Sequence, residues 1–172
     1  MKVIFLDIDG VLNTQETFIK WKEKYKKTGI YDLEIDEYRI KYLKDIIDRT
    51  KAKIVLSSSW RYFFKKENNL IIPKNSEGVE LCEMLKKYDI EIYDITKKNE
   101  YLTREEQIKA WINENNADSF IVIDDEKLDI ENQIKTNFYL ENNGGLIGLC
   151  EEHIDQAVNL LNKKDKVLKK CK

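Results

Sequence analysis

The sequence predicts an α/β fold in which a parallel sheet of about five strands carries helices on both faces, giving three layers. Short apolar runs with β-branched residues recur at Lys2 to Asp7, Lys53 to Leu56 and Ser119 to Ile123. Segments with helical apolar spacing separate these runs, and each run stops at acidic or small polar residues. Sheets of this kind bind ligands at the carboxyl ends of their strands, and those ends here carry Asp7, Asp9, Ser57 and the pair Asp124-Asp125.

The first strand breaks at Asp-Ile-Asp-Gly, where Gly10 permits a sharp turn. From Asp36 to Arg49, Tyr38, Ile40, Leu43, Ile46 and Ile47 recur at helical spacing, with Asp36 placed to cap the start. The second strand, Lys53 to Leu56, ends in the polar loop Ser57-Ser58-Ser59-Trp60. Glu77 to Lys87 is a helix by period, through Val79, Leu81, Cys82 and Leu85, and it leads to a third strand marked by Ile90, Ile92 and Ile95. Thr103, with Gln107 nearby, starts a further helix whose face carries Ile108, Trp111 and Ile112. The strand Ser119 to Ile123 follows, then a shorter one around Phe138 to Leu140. The last helix begins at Glu151, extends towards Leu168 and passes into a lysine-rich end.

At 172 residues the chain fits one ordinary domain, spanning residues 1–172. The charged fraction of 36% predicts a densely charged surface, but 30 basic against 32 acidic residues leave a net charge of only -2. Bulk electrostatics therefore neither recruits nor excludes a nucleic acid, and any basic track must be local. Cys82, Cys150 and Cys171 fit neither a disulfide framework nor a cysteine metal site, which favours a reducing setting. No apolar run reaches the length of a membrane span or of a signal peptide, so a cytoplasmic protein is expected. With His153 the single histidine, and that in a helix, chemistry built on an imidazole has little material. Carboxylate chemistry remains.

Asp7 and Asp9 lie two residues apart at a strand end, so both side chains project to one side. Carboxylates this close repel unless a cation is bound or one keeps its proton, the situation of a phosphoryl-transfer site with a hard metal. One carboxylate can attack phosphorus while the other handles protons. Asp124-Asp125, directly after Phe-Ile-Val-Ile, is a second place where adjacent acids call for a cation. Each feature alone has a plainer reading: a DxDG turn, a polar serine loop, a surface arginine at a helix start.

Taken together, Val-Ile-Phe-Leu-Asp-Ile-Asp-Gly-Val-Leu-Asn resembles the first signature of the haloacid dehalogenase (HAD) superfamily. Ile54-Val55-Leu56-Ser57 resembles its second. Arg104 is the best candidate for the third, with Lys97, Lys98 and Lys109 as rivals, and Asp124-Asp125 followed by Asp129 resembles the fourth. The match is closest to the small HAD domains associated with bacterial and phage RNA-repair proteins, on the strength of Ser57 to Arg61 and Arg104 to Ile112. The resemblance implies a Rossmann-like fold and a phosphatase in which Asp7 attacks phosphorus to form an aspartyl phosphate. Asp9 would protonate the leaving oxygen and then activate water. Mg²⁺ would be held by Asp7, the Asp9 backbone carbonyl and Asp124 or Asp125, with Asp129 outside them. Ser57 would donate to a phosphoryl oxygen, and Arg104 would balance the charge of Asp7 and the phosphate. Dehalogenase chemistry fits less well, because Asp9 supplies the proton-transfer group that a phosphatase needs.

The expected substrate-binding residues are Ser58, Trp60 and Arg61, the last two able to stack a base and hold a backbone phosphate at the rim, although Trp60 could equally pack in the core. Tyr62, Phe63, Phe64, Lys65 and Lys66 extend this stretch, as nucleic-acid contacts or as a hydrophobic helix with a solvated end. Neither insertion point leaves room for a substantial cap domain. Between Val11 and the Asp36 helix there is only a short lysine- and aromatic-rich stretch, a flap near the site. An open site admits a large substrate, so a polynucleotide 3′ or 5′ end is the leading expectation. A small phosphorylated metabolite or nucleotide, or a noncatalytic phosphate- or partner-binding module, are the alternatives.

Overall fold

The computed structural model describes residues 1–31, 33–139 and 146–163. In chain order the elements are β1 (Lys2–Leu6), α1 (Gln15–Thr28), α2 (Glu37–Thr50), β2 (Lys53–Leu56), a short 3₁₀ helix (Ser59–Phe63), β3 (Phe64–Glu67), β4 (Leu70–Pro73), α3 (Ser76–Lys86), β5 (Ile92–Ile95), α4 (Arg104–Asn115), β6 (Ser119–Asp124), β7 (Gln133–Lys135) and α5 (Glu152–Asn162).

Five strands form one sheet in the order β5-β2-β1-β6-β7, every neighbouring pair parallel. Because both faces are covered, the inner strands are apolar throughout rather than alternating. Alternate residues separate the two cores. Ile4, Leu6, Ile54, Leu56, Ile121 and Ile123 pack with Ile40, Leu43 and Ile46 of α2, Leu81 and Leu85 of α3, and Ala157, Val158 and Leu161 of α5. Val3, Phe5, Val55 and Val122 pack on the other face against Ile108 and Trp111 of α4. The expected three-layer, Rossmann-like α/β fold is what the chain adopts.

The β3–β4 hairpin was not anticipated in the sequence. Its two-residue connection, Asn68-Asn69, has φ of 49° and 63°, the left-handed backbone that makes a tight hairpin and that asparagine tolerates. Lys66 Nζ binds the hairpin to Asp94 of β5 at 2.8 Å. The stretch between Val11 and Ile35, expected as a flap, instead forms helix α1, which closes at Gly29 (φ 68°) with the Gly29 N–H donating to Tyr25 O at 2.8 Å. No cap domain stands over the sheet among the described residues.

Three further expectations are corrected. The last strand lies at Gln133–Lys135 rather than around Phe138 to Leu140. Ile134, opposite Ile123, is its core residue, while the Phe138 carbonyl accepts from Gln15 N of α1 instead of joining the sheet. Leu140 itself lies outside the described residues, as do Cys171 and the lysine-rich end beyond Lys163. Helix α5 stops at Asn162, since Lys163 is extended (φ −60°, ψ 126°). Asp36 does precede α2 but makes no cap hydrogen bond; its carboxylate accepts instead from Thr17 Oγ1 at 2.7 Å and Arg39 Nε at 3.1 Å. No helix among the described residues is long and apolar enough to cross a membrane.

Candidate active site

Sheet register sets the site. Ser57 N donates to Leu6 O at 3.0 Å and Asp7 N donates to Ile123 O at 3.0 Å, so the residues leaving β2, β1 and β6 stand side by side at one edge. That edge is also where the strand order reverses, since the chain winds outward from β1 through β2 to β5 and then returns to β6. Asp7 is 4% exposed and Asp124 fully buried. With the half-buried Asp125, each offers a carboxylate oxygen within 4.8 Å of the others.

Arg104, the first residue of α4, reaches into this cluster. Its Nη1 donates to Asp7 Oδ2 at 2.9 Å and to Asp124 Oδ2 at 2.6 Å. The helix start is fixed by a capping box in which Thr103 Oγ1 accepts from Glu106 N and Glu106 Oε2 accepts from Thr103 N. The partner in that box is thus Glu106, not Gln107. The rival lysines are engaged elsewhere: Lys97 with Glu114, Lys98 with the Phe64 carbonyl and Lys109 with the Asp129 carbonyl.

Three acids around one cation leave an imbalance. Burial raises the Asp7 carboxyl above its ordinary value, while Arg104, Ser58 and the Ile8 N–H oppose the rise. Asp124 is pushed up to about 7, by burial first and then by the charge of Asp7. Asp125 is pushed up to about 6 by the same two causes. Burial works against the Arg104 charge, but Asp7 and Asp124 more than offset it and hold the guanidinium protonated. The cluster therefore has room for more positive charge, and its donors are all hard oxygens of the kind that Mg²⁺ takes. Gly10 shapes the same spot. Its φ is 73°, and a Cβ there would fall 2.3 Å from Asp125 Cγ. Gly10→Ala is expected to displace Asp125 and to cost at least about 1–2 kcal/mol from the left-handed backbone alone, read as a lowered urea midpoint.

Asp9 stands apart from the three-carboxylate cluster. Its Oδ1 accepts from Asn13 Nδ2 at 2.8 Å and its Oδ2 from Trp60 Nε1 at 3.0 Å, so both oxygens are held by neutral donors. Asn13 Oδ1 in turn accepts from Gly10 N at 3.1 Å. Trp60 is half-buried, edge-on to Phe63 at 5.5 Å between centroids, with its indole N–H turned into the site. Asn13 is a site residue that sequence reasoning passed over although it closes the first motif.

The serine loop is built from within. Ser57 is fully buried, and its Oγ has no hydrogen-bond partner among the described residues. Ser58 Oγ accepts from Trp60 N at 3.2 Å and its hydroxyl bonds to Asp7. Arg61 was expected at the rim, on a substrate phosphate. It is instead 7% exposed, with Nη1 on the Ser57 and Ser58 carbonyls at 2.8 Å each and Nη2 on Gln107 Oε1 at 2.9 Å. Those bonds tie the loop carbonyls to Gln107 of α4, so Arg61 braces the loop from behind. Asp129 is likewise not beside the acidic cluster. It is exposed, its N–H on Glu105 and its carbonyl on Lys109. Glu126 is nearer, with Oε2 3.9 Å from Arg104 Nη2 and its N–H donating to Asp124 Oδ1.

The profile of one protein family, described as the HAD domain in Swiss Army Knife RNA repair proteins, matches residues 3–154. No curated protein and no solved structure shows a significant match.

Proposed function

Because the chain belongs to the HAD domains of Swiss Army Knife RNA repair proteins, we propose that it is a Mg²⁺-dependent phosphomonoesterase acting on polynucleotide ends through an aspartyl-phosphate intermediate. The observation that carries this reading is the trio Asp7, Asp124 and Asp125 gathered around Arg104 at the ends of adjacent strands.

Asp7 is the nucleophile. Arg104, Ser58 and the Ile8 N–H favour its ionised form against burial, and an attacking carboxylate has to be ionised. One Asp7 oxygen bonds to phosphorus as the ester P–O bond breaks, and Asp9 gives its proton to the departing oxygen. Asp9 then takes a proton from water as that water attacks the acyl phosphate, which frees inorganic phosphate and restores Asp7. Trp60 and Asn13 keep Asp9 aimed and keep it out of the acidic cluster. The Ser57 hydroxyl, free of protein partners among the described residues, is available to a phosphoryl oxygen. Such a reaction needs positioning and charge neutralisation above all, and each of these groups supplies one of the two. Asp7, Asp124 or Asp125 and the Asp9 carbonyl would hold Mg²⁺, which when bound neutralises charge on the phosphoryl oxygens.

The test is phosphate release from 3′- and 5′-phosphorylated oligonucleotides, nucleotides and sugar phosphates, with Mg²⁺ or EDTA. Release with Mg²⁺ alone, fastest on oligonucleotides, is the expected result; release that ignores EDTA, or none from any substrate, contradicts the proposal.

The raised carboxyls also make cation binding pH-dependent. Between the ordinary Asp value near 4 and the folded values of about 6 and 7, the folded chain holds protons that the unfolded chain has lost. Their contribution to stability is full below that window and lost as pH rises through it. Mg²⁺ competes for the same oxygens, so its stabilisation should grow across the window. Thermal unfolding is expected to show a clear rise in Tm with Mg²⁺ at pH 8 and almost none at pH 5. An equal rise at both would place the cation elsewhere.

A further inference from the structure

Of the residues of α1, Thr17 alone is buried, so core packing does not account for the aromatic rings the helix carries. Phe18, Trp21, Lys22 and Tyr25 fall on one stripe by helical spacing. The stripe continues beyond the helix at both ends. Phe18 meets Phe138 at 5.6 Å between centroids and Phe138 meets Tyr139 at 4.8 Å. Trp21 stacks on Tyr25 at 5.5 Å, interplanar angle 14°, and takes Tyr31 edge-on. These rings keep much of their surface in water: Phe18 is 37% and Tyr139 61% exposed. Beside them runs a groove of about 510 Å³ whose walls include Gln15, Phe18, Trp21, Lys22, Glu34 and Tyr139.

Two observations say what the groove receives. The first is charge: by helical spacing Lys22 and Lys26 of α1 flank the aromatic stripe, a local positive edge on a chain whose net charge is -2. The second is continuity with the reaction centre. Gln15 follows directly on the loop that holds Asp7, Asp9 and Asn13, and Thr136 Oγ1, two residues before Phe138, donates to Gly10 O at 2.6 Å. The carboxyl of Glu34 on the groove wall is raised by burial first and then by the charge of Asp9, in keeping with that continuity.

We infer that the aromatic stripe of α1, with Phe138 and Tyr139, docks a single-stranded polynucleotide whose phosphorylated end lies at Asp7. Exposed rings offer faces on which unpaired bases stack, and the lysines track the backbone phosphates. A duplex hides its base faces and fits less well. This docking rests on the phosphatase reading above but is measured separately from it.

Fluorescence anisotropy with fluorescein-labelled single-stranded oligonucleotides tests it, alongside turnover of phosphorylated oligonucleotide and of 4-nitrophenyl phosphate. Phe18→Ala and Tyr139→Ala are each expected to weaken oligonucleotide binding at least about fivefold. Both should raise the KM for oligonucleotide relative to that for 4-nitrophenyl phosphate. Lys22→Glu, a surface change that leaves the rings in place, should weaken binding and flatten its salt dependence by about one ion or more. Variants that bind oligonucleotide as tightly as the parent overturn the inference. So does a loss of self-association in the same variants with oligonucleotide affinity intact, which would make the stripe a protein interface. If neither phosphorylated oligonucleotide nor 4-nitrophenyl phosphate is hydrolysed while the binding losses are seen, the phosphatase reading fails and the docking stands.

Discussion

Asp7→Asn is expected to remove phosphate release by at least about a thousandfold, because the nucleophile is lost and no neighbouring carboxylate can replace it. Asp9 is the nearest alternative in sequence, but both its oxygens are committed to Trp60 and Asn13. Asp124 is fully buried and bound to Arg104. The substitution should nevertheless leave the fold intact. An asparagine keeps an acceptor for the Ile8 N–H, which the Asp7 carboxylate holds at 2.8 Å, and it removes a buried charge that repels Asp124. Unfolding of the variant is therefore expected at a temperature equal to or above that of the parent. A variant that keeps more than about a tenth of the activity would show that another group attacks phosphorus.

Arg104→Ala has the second-largest expected effect, and it falls on stability as well as on rate. The guanidinium pairs with both Asp7 and Asp124, and removing it takes their bonded counter-charge from two buried carboxylates. Breaking a buried pair in this way costs about 3–5 kcal/mol, and because Arg104 is about a fifth exposed the lower end is expected. The sign with pH follows from the carboxyls. Without Arg104 the Asp124 carboxyl rises further, so at pH 5 it keeps its proton and the loss is small, whereas at pH 8 the loss is full. Urea unfolding in EDTA at the two pH values measures the difference. A loss that does not change with pH would mean that Arg104 acts through packing rather than charge. Arg104→Lys keeps the charge but loses the planar fork, and it should fall between the parent and the alanine variant.

The parts of this molecule that could be read from the sequence are those where burial leaves a one-dimensional trace. β1, β2 and β6 are covered on both faces and so appear as unbroken apolar runs. Their ends are visible because Asp7, Ser57 and Asp124 interrupt them. Where burial is slight the trace fades. α1 buries Thr17 alone and reads as a basic, aromatic loop; β7 has one core residue, Ile134. The β3–β4 hairpin had a signal in Asn68-Asn69, but Lys65, Lys66 and Glu67 are exposed and hide the strand period.

At the site, the chemistry-bearing residues were legible and their partners were not. Nothing in Ser-Ser-Ser-Trp-Arg tells an arginine that grips the loop from one that reaches a substrate; that depends on Gln107, which comes from a different element. The Trp60–Asp9 hydrogen bond joins residues far apart in the chain and could be seen only in three dimensions. Asp129 has the right spacing from the acidic pair, yet the backbone after β6 turns it towards α4.

Trapping the intermediate shows whether Asp7 takes the phosphoryl group. The protein is mixed with Mg²⁺ and a phosphorylated oligonucleotide, quenched in acid during turnover, digested and analysed by mass spectrometry. The expected result is one added phosphoryl group on the peptide containing Asp7, sensitive to hydroxylamine as an acyl phosphate should be, and absent from Asp7→Asn. Turnover without a label on that peptide, or with a label on any other residue, would contradict it.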